Sequence, residues 1–210
     1  MRNFIFPGEV VAERQLRMDN TYIENGVTRS CIFGVFDDER RALIPLEGVW
    51  KPRSGDIVVG VVSEVTRNAY RVKLTDHFEG IYAPGKMEGT VFKVGEVMEA
   101  ELGPVGRRPI IELERPRRLS GGILINVKPV RIPRIIGRED TMIRQIIDIT
   151  KCRIAVGRNG VVWISGKNLG IAMEAVLKIE REAHVPGLTN RIKLMLEERI
   201  KENKSDSNGF

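Results

Sequence analysis

The sequence predicts a mixed fold in three parts: a small all-β half-barrel, a central five-stranded β-barrel and a C-terminal α+β domain. Short β-rich runs separated by turn residues fill the first half of the chain, and proline with glycine interrupts this pattern twice. Helical spacing of apolar residues begins only after residue 130. We therefore expect domains over 1–53, 54–116 and 117–187, followed by a C-terminal helix and polar tail over 188–210.

The first part consists of short strands joined by turns. An Asn25-Gly26 pair lies between two β-rich runs, which is a strong signal for a β-hairpin. A second turn, Asp37-Asp38-Glu39-Arg40, carries three adjacent carboxylates. Consecutive residues on a hairpin tip point in different directions, so we interpret this run as a solvated turn and not as a metal site. The predicted strands cover residues 9–13, 21–24, 27–36 and 41–46.

The second part contains five short strands, with a longer connection between the third and the fourth. This order is typical of a five-stranded Greek-key barrel of the oligonucleotide-binding (OB) type. The predicted strands cover residues 56–66, 70–74, 78–83, 94–102 and 109–113. Residues 115–122 contain a proline and paired glycines, which predicts a connection. Its three arginines are expected either to face solvent as phosphate contacts or to clamp two domains together.

The third part has the order strand, helix, helix, strand, strand, helix. Strands are predicted over 123–128, 153–156 and 161–165, and a short helical turn over 131–136. Three further helices are expected, each with a polar capping residue at its start. These caps are Asp140 for a helix to about Lys151, Asn168 for the next helix, and Thr189 for a last helix to about Lys201. We expect the polar tail from Lys204 to be disordered.

Positive charge is concentrated in one region of this basic chain. The net charge is +6, yet the segment 105–160 alone carries thirteen Lys or Arg against five Asp or Glu, so the rest sums to −2. A local excess of this size favours nucleic acid as a partner, because phosphate binding gains from the release of counterions. A merely solvated charged face is the alternative interpretation.

The sequence offers no constellation typical of an enzyme. It contains two histidines, His77 and His184, and lacks a P-loop, a Gly-x-Ser-x-Gly and a His-Glu-x-x-His motif. Its two cysteines, Cys31 and Cys152, form no CxxC, so neither a zinc site nor a disulfide framework is expected. We predict a non-catalytic cytoplasmic protein with no cofactor, no metal and no membrane association.

The barrel segment resembles an S1-type RNA-binding domain. The resemblance rests on Gly55-Asp56-Ile57-Val58-Val59-Gly60 and on Phe78-Glu79-Gly80-Ile81-Tyr82. It implies that aromatic residues on the second and third strands stack on bases. By position Tyr70 matches the second-strand aromatic, and one of Phe78, Tyr82 or His77 supplies the next. Ala83 stands where that family often has a histidine.

The third part resembles a type I KH domain, whose Gly-x-x-Gly turn grips single-stranded RNA. Here the turn reads Gly137-Arg138-Glu139-Asp140, so two carboxylates stand where a phosphate would approach. By contrast, Gly157-Arg158-Asn159-Gly160 is similar to the Gly-x-Asn-Gly signature of exosome cap subunits. Two further segments strengthen this likeness: Pro133-Arg134-Ile135-Ile136-Gly137 and Ile179-Glu180-Arg181-Glu182-Ala183-His184.

The chain as a whole therefore resembles the archaeal exosome cap subunits that carry an S1 and a KH domain. The resemblance implies a trimer of caps on a hexameric ring of phosphorolytic RNase subunits, with the N-terminal domain docked on that ring and single-stranded RNA passing the S1 domains. The alternatives left open are a free-standing RNA-binding regulator or translation factor, and a nuclease in its own right. The predicted RNA contacts are Tyr70, Arg107, Arg108, Arg131, Arg134, Arg138 and Lys151. The residues predicted to be structural are Gly137, Gly157, Asn159 and Gly160, with a type I′ turn at Asn159-Gly160.

Overall fold

A computed structural model describes residues 4–37, 41–85, 91–106, 110–183, 185 and 187–207. The chain forms two compact units, Met1–Val49 and Trp50–Phe210. The barrel and the α+β domain belong to the same unit, and the boundary proposed between them stays a prediction. Some predictions concern residues outside the described ranges, namely Asp38, Glu39, Arg40, Arg107, Arg108 and His184.

The first unit contains two antiparallel sheets of three strands each, in the orders β1-β5-β6 and β2-β4-β3. The Asn25-Gly26 hairpin prediction is confirmed, since both residues have positive φ (51° and 81°) between β3 and β4. The strand predicted over 27–36 is instead two strands, because β4 and β5 belong to different sheets. The strands are β1 (Phe4–Ile5), β2 (Val10–Ala12), β3 (Thr21–Glu24), β4 (Val27–Ser30), β5 (Gly34–Asp37) and β6 (Ala42–Pro45).

The second unit begins with a closed five-stranded barrel, which confirms the predicted barrel. Its strands are β7 (Ile57–Val65), β8 (Tyr70–Lys73), β9 (Glu79–Tyr82), β10 (Val97–Leu102) and β11 (Ile110–Leu119). Their order is β10-β11-β9-β8-β7, and antiparallel pairing of β7 with β10 closes the sheet. Alternate residues point inward, so that Val58, Val72 and Met98 fill the barrel core.

The last barrel strand is longer than the sequence predicts. β11 continues through Pro116 to Leu119, and a register shift opposite Glu99 and Glu101 accommodates Arg115 at a φ of 48°. The connection predicted over 115–122 is therefore wrong for its first five residues. The three arginines form cross-strand ion pairs with β10 or the turn before it. These pairs are Arg115–Glu101 (2.6 Å), Arg117–Glu99 (2.6 Å) and Arg118–Glu96 (3.2 Å).

The α+β domain is confirmed: two helices, α2 and α3, pack against an antiparallel sheet, and α1 and α4 pack against these two helices. Its elements are β12 (Ile123–Asn126), α1 (Ile132–Ile136), α2 (Thr141–Thr150), β13 (Arg153–Val156), β14 (Val161–Ser165), α3 (Leu169–Glu182) and α4 (Leu188–Ser207). The sheet order is β12-β14-β13. Ile146 of α2, Ile179 of α3 and Ile192 of α4 are fully buried in one core, so α4 is an integral part of this domain.

Four predictions at the helix ends need correction. Asp140 and Asn168 occupy the N-cap positions, but neither side chain makes a capping hydrogen bond. The Asn168 amide donates instead to the carbonyl of Thr150 at 3.0 Å. Thr189 lies inside α4, which starts one residue earlier, and the tail predicted to be disordered continues this helix as far as Ser207.

Candidate nucleic-acid interface

The barrel and the KH-like domain meet through a buried apolar contact. Val59 of β7 and Leu119 of β11 pack against Ala155 and Trp163 of the three-stranded sheet, and all four are buried. The indole of Trp163 donates a hydrogen bond to the Gly121 carbonyl at 2.7 Å. The barrel and the KH-like domain of this unit are therefore joined by a buried, packed surface and not by a loose linker.

A tight turn at the tip of the β13–β14 hairpin completes this contact. The Gly160 amide donates to the Gly157 carbonyl at 3.0 Å, and the Gly157 amide donates to the Val161 carbonyl at 2.8 Å. Gly160 has a φ of 90°, whereas Asn159 does not have a positive φ. The hydrogen bonds are those of a type I turn followed by a glycine bulge. The predicted type I′ turn is therefore wrong.

Asn159 replaces a missing strand partner in the barrel. Pairing of β7 with β8 begins at Val61 and Lys73, so Val59 and Leu74 lie beyond the paired stretch. The Asn159 carboxamide bridges them: its oxygen accepts from the Val59 amide at 3.2 Å, and its nitrogen donates to the carbonyls of Val59 (2.8 Å) and Leu74 (2.7 Å). Since Asn159 is only 4% exposed, these bonds form away from water.

Both glycines of this turn lie so close to neighbouring atoms that a side chain would not fit. A Cβ on Gly157 would lie 2.2 Å from the Asn159 side-chain oxygen and 2.7 Å from the Val59 amide nitrogen. A Cβ on Gly160 would lie 2.5 Å from the Val127 carbonyl oxygen. The structure therefore places Gly157, Asn159 and Gly160 at the junction between the barrel and the KH-like domain.

The turn between α1 and α2 differs from an RNA-gripping glycine turn. Gly137 is at a φ of 81°, and a Cβ there would lie 2.6 Å from the Met142 amide nitrogen. Glu139 and Asp140 both adopt left-handed backbone angles (φ 51° and 62°) and are exposed. Arg138 is exposed beside these two carboxylates, and Asp140 forms an ion pair with Arg144 at 3.5 Å, so the turn carries no net positive charge to attract a phosphate.

Tyr70 lies in the barrel core. It is 8% exposed, its ring stacks on Tyr82 at 5.9 Å between centroids, and Phe92 packs edge-on at 5.5 Å. In this conformation the ring presents no free face to a base. Strand alternation is the signal that sequence reasoning missed, because Tyr70 shares the inward register of Val72. Of the alternatives, Phe78 is half-buried against Trp50.

The basic residues predicted to bind RNA are not all equally available. The Arg134 guanidinium donates to the Ala183 carbonyl at 3.0 Å, which ties α1 to the end of α3. Arg138 and Lys151 are exposed and Arg131 is half-buried, and none of the three forms an ion pair with another described residue.

Sequence reasoning also missed the outward face of β8, which carries Arg71 and Lys73. Arg71 lies 3.4 Å from Glu64 and 3.6 Å from Glu79, so its charge is balanced. Lys73 contacts Asp76 at 2.9 Å. The hydrogen bond and the charge attraction between them raise the pKa of the Lys73 ammonium and lower the pKa of the Asp76 carboxyl.

Within the described ranges, no group of three or more His, Cys, Asp or Glu side chains gathers closely enough to hold a metal ion. Among the same residues, no helix is both long and apolar enough to cross a membrane.

Comparison with known proteins gives consistent matches. A model of the KH domain family matches residues 122–170. The exosome complex component Rrp4 of Saccharolobus solfataricus is 32% identical over 98% of this chain and 92% of its own length. The Rrp4 of Pyrobaculum aerophilum is 30% identical, with 93% of each chain covered. A crystal structure of a protein proposed to be an exosome complex RNA-binding protein shares the fold, with a TM-score of 0.64, 24% identity, and coverage of 74% of this chain and 99% of that one.

Proposed function

This chain belongs to the Rrp4 family of archaeal exosome components, and from that membership we propose that it is a non-catalytic RNA-binding cap subunit of an exosome. In this role it captures single-stranded RNA and guides it to a phosphorolytic RNase ring, which degrades the RNA from the 3′ end. The observation that carries the proposal is the joining of an OB-type barrel to a KH-like domain through the buried hydrogen bonds of Asn159. Both folds bind single strands in other proteins.

Electrostatics supports single-stranded RNA as the ligand. The segment 105–160 carries the chain's positive excess, and Arg131, Arg138 and Lys151 of this segment have no ion-pair partner among the described residues. We propose these three, with Arg107 and Arg108, as phosphate contacts. Since phosphates are common to all sequences, binding has little base preference and weakens steeply with salt.

The first unit carries the surface that we propose for docking on the ring. Phe4 and Phe6 are 59% and 53% exposed, and Val49 is 74% exposed. Exposed apolar side chains of this size are typical of surfaces that become buried against a protein partner. Three copies of the chain on a hexameric ring are the assembly we propose.

Copurification tests the assembly. The tagged chain is expressed in its native host, and the extract is treated with RNase before capture. We expect the ring subunits to remain bound without RNA. Recovery of the chain alone, or with partners that RNase releases, contradicts the cap role and favours the free-standing RNA-binding regulator.

Incubation with RNA tests the absence of catalysis. The isolated chain is mixed with labelled single-stranded RNA in the presence of divalent metal ions or of inorganic phosphate. The expected result is retention of RNA in a band-shift assay with no shortening. Reproducible shortening by the isolated chain would identify a nuclease and overturn the proposal.

Charge reversal tests the phosphate contacts. Arg131→Glu and Lys151→Glu are expected to weaken binding and to lower the salt dependence of the affinity, each by about 0.7 in the log–log slope per lost phosphate contact. Arg181→Glu on α3 is a matched control, because Arg181 is exposed and also has no ion pair within the described residues. Equal losses in all three variants would show a general charge effect and remove Arg131 and Lys151 from the RNA path.

A further inference from the structure

We propose that the junction between the barrel and the KH-like domain is itself an RNA-binding site, in which Lys51, Arg53 and Arg158 contact the phosphates of single-stranded RNA. These three residues are called the junction cluster below. The inference rests on the proposed function and deepens it, because it names a binding site at the junction between the two RNA-binding folds.

Arg158 is fixed in position by its neighbours but its own side chain is free. Its backbone amide donates to the Ile57 carbonyl at 2.8 Å, and the next residue, Asn159, makes three hydrogen bonds to the barrel. Gly157, Asn159 and Gly160 are buried, whereas Arg158 is exposed and forms no ion pair with any described residue. The hairpin therefore presents one unpaired guanidinium at the start of β7.

Lys51 and Arg53 lie on the segment that leads into β7, the strand whose first residue contacts Arg158. Asp56 holds this segment in a tight turn: its carboxylate accepts from the Trp50 indole at 3.1 Å and from the Arg53 amide at 3.1 Å, and its own amide donates to the Arg53 carbonyl at 3.0 Å. Both basic side chains are exposed. The turn brings the Cα atoms of Arg53 and Asp56 within ~7 Å. The step along the chain from Asp56 to Ile57 and the hydrogen-bonded step from Ile57 to Arg158 add ~4–6 Å each. The backbones of Arg53 and Arg158 therefore lie within roughly 17 Å.

The acidic residues nearby do not balance the junction cluster. Asp56 accepts the two hydrogen bonds that shape the turn, both from neutral donors, so it keeps one negative charge. Glu101 pairs in register with Ile57, but its charge is balanced by an ion pair with Arg115 at 2.6 Å. Three cations therefore stand against the single charge of Asp56, and the net positive charge gains free energy from a phosphate.

The position of the junction cluster favours single-stranded RNA, and not an acidic protein surface, as its ligand. The cluster borders the junction at which the barrel and the KH-like domain pack together, and folds of both kinds bind single strands in other proteins. Ile57, 40% exposed beside Arg158, adds an apolar surface on which a ribose or base can rest. An acidic protein partner is the outcome that the experiment separates from RNA.

The test measures binding of fluorescein-labelled oligouridine to the full chain by anisotropy over a series of salt concentrations. The variants are Arg158→Ala and the triple variant Lys51→Ala/Arg53→Ala/Arg158→Ala. The matched control is Lys167→Ala, an exposed and unpaired lysine beyond the opposite end of β14, roughly 20 Å from the hairpin tip at ~3.3 Å per strand residue.

For each phosphate contact removed, we expect the affinity at ~0.1 M salt to fall about fivefold. The slope of log affinity against log salt concentration should become smaller by about 0.7 per contact. The triple variant should therefore lose affinity on the order of 100-fold. Lys167→Ala should bind like the parent chain. Because these side chains make no described contacts, circular dichroism should show unchanged folding.

The outcomes separate the two proposals. If the parent chain does not bind oligouridine, the proposed function fails. If the parent binds and the triple variant binds equally well, or loses no more than Lys167→Ala, the junction site is overturned while RNA binding stands. Unchanged RNA binding combined with loss of ring subunits in copurification would assign the cluster to a protein partner and likewise overturn it.

Discussion

Replacing Asn159 with alanine should uncouple the barrel from the KH-like domain more than any nearby surface change. The substitution removes three hydrogen bonds at once and leaves three backbone groups without that partner: the Val59 amide, the Val59 carbonyl and the Leu74 carbonyl. β8 offers them no replacement, because pairing of β7 with β8 starts only at Val61 and Lys73. The damage is therefore to the barrel as well as to the junction.

The expected cost follows from burial. A buried backbone group left unsatisfied costs about 1–3 kcal/mol, and three such groups give a loss of about 3–9 kcal/mol in the free energy of unfolding. With a urea m-value of about 2 kcal/mol/M, the unfolding midpoint should move to lower urea by about 1.5 M or more. The adjacent substitution Arg158→Ala removes an exposed side chain without described contacts, so it should stay within about 0.5 kcal/mol of the parent.

Urea unfolding followed by tryptophan fluorescence measures both sides of the junction. Trp50 lies in the barrel core and Trp163 lies at the junction, and they are the two tryptophans of the chain. Single-tryptophan versions, with phenylalanine at the other position, let each signal be followed separately. If Asn159→Ala unfolds at the same urea concentration as Arg158→Ala, the carboxamide does not hold the two domains together and the reasoning fails.

Asn159→Asp adds a pH-dependent version of the same test. A carboxylate there can accept from the Val59 amide but cannot donate to the two carbonyls, and its burial raises its pKa above the ordinary value of about 3.9. The part of the penalty that comes from the charge is therefore absent below that ordinary pKa and grows as pH rises, until the folded-state pKa is passed. The loss of one of the two donated hydrogen bonds remains at every pH, because a protonated carboxyl has a single O–H donor. A deficit that shrinks with rising pH would contradict this account.

Three further predictions concern packing, a surface tie and an ion pair. In urea unfolding, Gly157→Ala should lower the free energy of unfolding by about 1–3 kcal/mol, because the added methyl group has no room. The control Gly170→Ala in α3, where the space around the glycine is open, should raise it by about 0.5 kcal/mol. Arg134→Ala should cost about 0.5–1 kcal/mol in the same assay, because it removes a hydrogen bond to the end of α3; no change would show that this bond does not persist in solution. Lys73→Met should raise the pKa of Asp76 toward 3.8 in an NMR titration of its carboxyl carbon, and an unmoved pKa would show that the pair is not formed.

Local sequence patterns predicted the domains better than the contacts between them. The alternation in β7 and the isoleucine spacing of α2 depend on neighbours in the chain, so both elements were predictable. The bonds of Asn159 join residues 85 and 100 positions apart, and no local pattern contains them. The turn type was wrong for the same reason: sequence reasoning assigned Asn159 to backbone geometry, whereas the fold uses its side chain.

The charged residues show a second limit of sequence reasoning. Arg115, Arg117 and Arg118 count toward the positive excess of the sequence, yet in the fold each meets a glutamate from outside the counted segment. An excess counted over a continuous segment therefore overstates the charge that RNA can meet. Which cations remain available depends on strand register, which a charge count does not contain.

The positions of the two glycine-containing turns explain why RNA contact is expected near the hairpin tip. Between α1 and α2, where a KH domain usually meets a phosphate, the exposed Glu139 and Asp140 offset Arg138 and Arg144, so no positive charge is left over. At the tip of the β13–β14 hairpin, Asn159 is turned into the barrel, and Arg158 is consequently turned out to solvent. One turn thus combines two roles that are separable by mutation: Asn159 sets stability, while Arg158 is predicted to set RNA affinity without changing stability.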